Sequence, residues 1–211
     1  MMDNYNSMDE MHFDILRELG NIGSGNATSA LARLLNRKVD MQVPSVNLVD
    51  FSNIADSVGG PGALVVGILV SISGEVNGMM MFLVNTNSAR RLLNILMGNV
   101  DIGEPLEDGF DFSNVEISAL EEIGNILVSS YLSSLAELTG IYLKPSVPFL
   151  SIDMANAILS VPAVEFGKVA DKVLFIESIF GDIAEDTVSG YFLLIPDMPS
   201  FSTILKSLGV M

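Results

Sequence analysis

Residues 14–21 read Asp-Ile-Leu-Arg-Glu-Leu-Gly-Asn, and residues 118–125 read Ser-Ala-Leu-Glu-Glu-Ile-Gly-Asn. Both stretches end in Glu-x-Gly-Asn, and in both a proline follows the Asn by 23 positions: Pro44 after Asn21, and Pro148 after Asn125. The offset of 104 that superimposes them also aligns Leu16 with Leu120, Gly20 with Gly124, Ser29 with Ser133, Leu31 with Leu135, Ala32 with Ala136, Leu34 with Leu138 and Val43 with Val147. The chain therefore reads as a tandem duplication that kept one small polar site in each half. A helix turns once in 3.6 residues, so positions i, i+4 and i+7 share a face. Asp14, Glu18 and Asn21 fall on one such face, and Ser118, Glu122 and Asn125 on another.

Working outward from the signature, each half has the same order. Apolar residues recur at helical spacing through Leu16, Leu19, Ala27, Ala30, Leu31 and Leu34, which predicts a helix from about residue 8 to 36, with Ser7 and Glu10 as a capping box. Its counterpart runs from about 114 to 140, with Ser113 and Glu116 as the box and Gly140 as the stop. Extended segments follow at 39–49 and 142–152, and the prolines inside them, Pro44 and Pro148, predict edge strands or bulges. Stretches 51–62 and 155–170 read as irregular. Hairpins follow, pairing 63–73 with 78–84 and 172–180 with 190–195, their turns marked by Gly74, Asn77, Gly181 and Asp182. Short helices at 88–97 and 200–208 close the halves.

The expected fold class is α/β (α+β). It is one internally duplicated, pseudo-two-fold domain spanning 1–211, with two long signature helices packed on antiparallel sheet. Its halves cover about 8–98 and 114–209, and residues 99–112, with Gly103, Pro105 and Gly109 among acidic residues, form the linker.

Composition narrows the chemistry. The 211 residues are 49% hydrophobic, enough for a well-buried core. Cysteine is absent and His12 is the single histidine, which leaves no disulfide, thiol nucleophile, Cys-containing zinc site or His-based triad. Ten Lys and Arg stand against 26 Asp and Glu, a formal charge of −16. Such a chain lacks the cations that displace counterions from nucleic acid, and anionic lipid repels it. A protein partner with a basic feature suits it better. The first twelve residues have neither a basic n-region nor an apolar h-region, and the apolar run 63–72 is too short to span a bilayer. A soluble, cytoplasmic protein without membrane insertion is expected.

A carboxylate can hold an ammonium group, and an amide can fix a water molecule through its donor and acceptor. Phosphoryl transfer asks mainly for positioning and charge neutralisation, and an amide that orients water meets part of that need. An acidic protein is poorly suited to hold a free phosphate ester alone. It could complete a site on a partner that supplies the phosphoryl group, Mg²⁺ and a Lys. A Glu and an Asn three apart on one amphipathic helix are usually a solvated face; two copies with the same long interval to Pro favour function. Gly20, Gly23 and Gly25 lack the Lys of a P-loop and follow no strand, so close helix packing accounts for them better. Met79, Met80 and Met81 read as adaptable core.

The pattern Asp/Ser-x3-Glu-x2-Asn-x22-Pro resembles the signature of the CheC/CheX/FliY phosphatases, and residues 18–35 and 122–140 are most similar to the CheC branch. The resemblance covers the whole chain; the CheX branch carries one such helix, and the flanking segments of FliY have no counterpart here. It implies a protein phosphatase, a hydrolase of chemotaxis and two-component signalling, acting on the aspartyl phosphate of a CheY-type receiver. By motif position, Asn21 and Asn125 would orient the attacking water, and Glu18 and Glu122 would engage the receiver's Lys. Asp14, Pro44, Ser118 and Pro148 would support the motif. The protein would need no cofactor of its own, since Mg²⁺ would come with the receiver. CheD, a receptor-modifying deamidase, is a second implied partner. The alternatives are a non-catalytic module that binds phosphorylated CheY or CheD, and a flagellar-switch scaffold of FliY type.

Overall fold

The computed structural model describes residues 10–36, 38–97, 112–166, 172–180 and 187–209. Helix α1 (Glu10–Leu35) leads to strand β1 (Met41–Asp50), a 3-10 turn (Phe51–Asn53) and the short helix α2 (Ile54–Ser57). Strands β2 (Leu64–Gly74) and β3 (Gly78–Asn85) and helix α3 (Thr86–Met97) complete the first half. The second half comprises α4 (Asn114–Thr139), β4 (Leu143–Pro145), β5 (Phe149–Met154), α5 (Ala155–Phe166), β6 (Lys172–Phe180), β7 (Val188–Pro196) and α6 (Met198–Ser207). The first capping box, through Ser7, and the linker up to Asp111 lie outside the described residues. No helix among the described residues is long and apolar enough to cross a membrane.

Among the described residues seven strands form one sheet, ordered β1-β6-β7-β3-β2, with β4 and β5 end to end along the free edge of β2. Every pairing is antiparallel. Both expected hairpins are present, as β2 with β3 and β6 with β7. The edges are exchanged: β1 of the first half pairs with β6 of the second, and β5 of the second pairs with β2 of the first. Swapping the halves turns the order β1-β6-β7-β3-β2-β5 into its own reverse, as a two-fold axis between β3 and β7 requires. Phe82 and Phe192 face each other across that central pairing, with ring centroids 4.8 Å apart.

The sheet is buried on both faces, so its strands read as continuous apolar runs whose residues alternate between two cores. Val66, Ile68, Met80, Phe82, Ile176 and Phe192 point toward one core, shared with Leu16, Leu19, Ile123 and Leu127 of the signature helices. Val65, Leu69, Met79, Met81, Phe175 and Leu193 point toward the other, covered by Ile54 of α2 and by Ala155, Ile158 and Leu159 of α5. The three consecutive methionines are thus core on alternating sides.

Helix α5 corrects the expectation of an irregular stretch at 155–170. Pro162 lies inside it and has no amide to donate, a cost to the helix. Burial outweighs that cost: Ala155, Ile158 and Leu159 repeat at i, i+3 and i+4 and are all buried. Gly67 of β2 makes the approach possible, since a Cβ there would lie 3.0 Å from Ile158 Cγ2.

Both motif prolines sit at interruptions of an edge strand. In β1 the partners of Gln42 and Ser45 are Ile179 and Glu177, so one extra residue accumulates around Pro44. On the other edge Pro145 and Phe149 face Ile72 and Leu69 of β2, so one extra residue accumulates beside Pro148. A bulge is where a strand tolerates proline, because the missing donor breaks no ladder bond.

Candidate functional site

Local chemistry builds the two helices that carry the signature. At the start of α4 the Ser113 amide donates to Glu116 Oε2 at 2.7 Å, and the Glu116 amide donates to Ser113 Oγ at 3.3 Å. Gly140 ends α4 in the left-handed conformation with φ 68°, and Asn36, with φ 48°, follows the end of α1. Leu16, Leu19, Ala27 and Leu31 of α1 are buried, as are Leu120, Ile123, Leu127 and Leu135 of α4. The signature lies on the opposite side of each helix, where Asp14, Glu18, Asn21, Ser118 and Glu122 are exposed and Asn125 is half-buried.

The glycine inside each signature sets how closely the helix meets the sheet. A Cβ on Gly20 would lie 2.7 Å from Val46 Cγ2 and 3.2 Å from Val43 Cγ1, on β1 to either side of the Pro44 bulge. A Cβ on Gly124 would lie 2.6 Å from Ile68 Cγ1, and Ile68 pairs with Leu150 just beyond Pro148. Each Glu–Asn pair is therefore held over the crossed pair of edge strands that the motif proline interrupts. The expectation of tight packing holds for Gly20 and also for Gly23, which abuts the Tyr131 ring of α4. It fails for Gly25, where a Cβ would meet nothing within 4 Å. The two helices are further joined by Asn26 Nδ2 donating to Ser134 Oγ at 3.1 Å. Beneath this contact the Tyr131 hydroxyl meets Ser178 Oγ at 3.3 Å. Burial raises the Tyr131 pKa above the usual phenol range despite that hydrogen bond.

The copies differ in what surrounds the shared residues. In the first, Arg17 donates to Asp14 at 2.7 Å, an exposed ion pair one turn along the helix. The aligned positions of the second copy, Ser118 and Glu121, form no such pair and leave that surface more acidic. Glu18, Asn21, Ser118 and Glu122 have no side-chain partner among the described residues. Asn125 has one: its Oδ1 accepts from Ser129 Oγ at 3.3 Å. Sequence reasoning attached no role to Ser129, although the i, i+4 spacing that lets it reach Asn125 is legible in the chain. Among the described residues no cluster of three or more His, Asp or Glu is arranged to hold a metal ion.

The arrangement can present a carboxylate and an amide together, twice, from rigid helices to a ligand that comes from outside.

The family model described as the CheC-like family matches residues 11–48 and 115–152, two windows 104 positions apart that each hold one Glu–Asn pair and its proline. The CheY-P phosphatase CheC of Bacillus subtilis (strain 168) is 39% identical over 210 residues, covering 99% of this chain and 99% of that protein. The putative CheY-P phosphatase CheC1 of Halobacterium salinarum is 23% identical over 95% of this chain. The crystal structure of Thermotoga maritima FliY has a TM-score of 0.69 over 96% of this chain and 98% of that one, at 20% identity, a likeness of fold. With nearly full-length similarity and the family pattern matched once in each half, the chain belongs to the CheC-like family.

Proposed function

We propose that this protein is a phosphatase that hydrolyses the aspartyl phosphate of a CheY-type response regulator and works from two sites, Glu18 with Asn21 and Glu122 with Asn125. The observation that carries the proposal is the pairing of an exposed carboxylate with an amide one turn away, repeated on α1 and α4 and braced by Gly20 and Gly124 against the same kind of strand pair. The receiver brings the acyl phosphate, its Mg²⁺ and its Lys as parts of the substrate. Glu18 or Glu122 accepts a hydrogen bond from that ammonium and docks the receiver. Asn21 or Asn125 then enters the receiver's pocket, where its carbonyl oxygen accepts a proton contact from a water molecule and its amino group stays free to donate.

The water oxygen forms a bond to phosphorus as the bond between phosphorus and the Asp carboxylate oxygen breaks. The receiver regains its carboxylate, and the water's protons leave on inorganic phosphate. Placement of the water supplies the acceleration, because the reaction needs alignment more than covalent help. Exposure of both signatures suits a macromolecular substrate that contributes half of the active site. CheD enters the proposal as a second partner by family resemblance, tested by co-elution of the two purified proteins.

The test follows decay of a phosphorylated CheY-type receiver in the presence of catalytic amounts of the wild type, Asn21→Ala, Asn125→Ala and the double variant. Acceleration by the wild type that vanishes in the double variant is the expected result. Wild-type protein that binds the phosphorylated receiver without shortening its lifetime would overturn catalysis and make the chain a docking module.

A further inference from the structure

Four hydroxyls along the two signature helices make the same bond, and Ser129 makes a different one. Ser29, Ser130, Ser134 and Thr139 each donate to the main-chain carbonyl four residues earlier, at 2.9, 2.7, 2.8 and 2.6 Å. That is the common bond for a hydroxyl inside a helix. Ser129 stands one turn after Asn125 and donates instead to its side-chain Oδ1 at 3.3 Å. The position aligned with Ser129 in the first half is Gly25, which has no side chain and lies in open space. Asn21 is exposed where Asn125 is half-buried.

We infer that Ser129 is a positioning residue for the second site, fixing the Asn125 amide, and that the first site lacks this device because Gly25 takes its place. The inference rests on the phosphatase reading above. The outer torsion of an asparagine is broad and nearly two-fold, so a free amide exchanges its oxygen and nitrogen between two directions. A Ser hydroxyl can donate to Oδ1 or accept from Nδ2, so what Ser129 supplies is a fixed place for the Asn125 side chain, with Oδ1 as its partner in this structure. Oδ1 has two lone pairs. With one engaged by Ser129, the second and both amino protons are left for the water and the receiver. At 3.3 Å the bond is long for a hydroxyl donor.

The asymmetry makes the two sites unequal in a way that Glu and Asn alone do not specify. Asn21 must be ordered by the receiver at each encounter. Asn125 is ordered beforehand.

The test isolates each site. In an Asn21→Ala background, Ser129→Ala should lower kcat for receiver dephosphorylation about three- to tenfold, the range of one hydrogen bond, while KM for the phosphorylated receiver stays level. Ser129→Thr keeps the hydroxyl and should restore most of the rate. In an Asn125→Ala background, Gly25→Ser supplies the missing hydroxyl where space allows it and should raise kcat. Circular dichroism melts confirm that each variant is folded. An Asn21→Ala protein whose kcat is indifferent to Ser129→Ala overturns the positioning role and leaves the phosphatase intact, as does Ser129→Thr as slow as Ser129→Ala. Absence of residual activity in Asn21→Ala removes the second site and its positioning residue together. An inactive wild type defeats the underlying phosphatase reading.

Discussion

Glu18 and Glu122 occupy equivalent positions in unequal surroundings. The Arg17–Asp14 pair beside Glu18 is exposed on both sides and contributes little to stability, as surface pairs of this kind do. Its larger effect is on the field: one positive charge offsets one negative charge next to Glu18, whereas Glu121 adds a negative charge next to Glu122. Under the proposed mechanism, a receiver approaching with an active-site Lys would be attracted more strongly to the second site. The expected outcome is that Glu122→Gln raises KM several-fold with kcat nearly level, and Glu18→Gln does so to a smaller extent. Raising ionic strength from about 0.05 to 0.5 M should shrink the difference between wild type and each variant, since exposed charges are screened within about 10 Å at 0.1 M salt. Equal KM values for wild type and Glu122→Gln at low salt would remove the docking role.

Helices α1 and α4 show how an element's length and its placement have different origins. Length is local, set by the capping box at Ser113, the left-handed Gly140 and Asn36, and unbroken apolar periodicity between them. Placement is tertiary, and the glycines decide it one by one. Gly124→Ala puts a methyl group 2.6 Å from Ile68 Cγ1 and should destabilise the protein by about 1–3 kcal/mol through overpacking. Gly25→Ala meets nothing and should stabilise by about 0.5–1 kcal/mol, the gain of Ala over Gly in a helix. Urea titrations of the two variants read the sign directly. Opposite signs are expected, and two destabilisations of similar size would show that Gly25 has a packing partner after all. Because Gly124 lies between Glu122 and Asn125, its substitution should also slow the second site more than the first.

For the whole molecule, the exchange of edge strands governs behaviour. The first half contributes β1 to a pairing with β6 and receives β5 against β2, so neither half has a complete sheet alone. The central Phe82–Phe192 pair, together with Phe180 packed edge-on against Phe82 at 6.0 Å, joins the halves in a common core. We expect the 211 residues to unfold in one cooperative transition despite the duplication. Far-ultraviolet circular dichroism and tyrosine fluorescence, the latter usable because the chain has no tryptophan, should give coincident denaturation curves. Two separated transitions would mean that the halves are independent units. A fragment ending near residue 98 should stay unfolded, since it exposes the faces and edges that the second half covers.

The duplication, the two long helices, both hairpins and the face shared by each Glu and Asn followed from sequence alone. All depend on spacings of a few residues, where helical and strand periodicities act directly. Even the prolines carried their meaning, because a residue without an amide donor has few places in a sheet. Three features required the folded molecule. Helix α5 forms around Pro162 because Gly67 lets it bury Ile158, a contact between residues 91 positions apart. The exchange of β1 and β5 is a choice among several apolar strands that look alike locally and differ only in the neighbours they complete. Gly23 and Gly25 sit two residues apart in one helix and are indistinguishable as letters, yet one faces the Tyr131 ring and the other faces solvent. Residue types and spacings specify which local structures can form. Which of them meet is decided when the sheet closes.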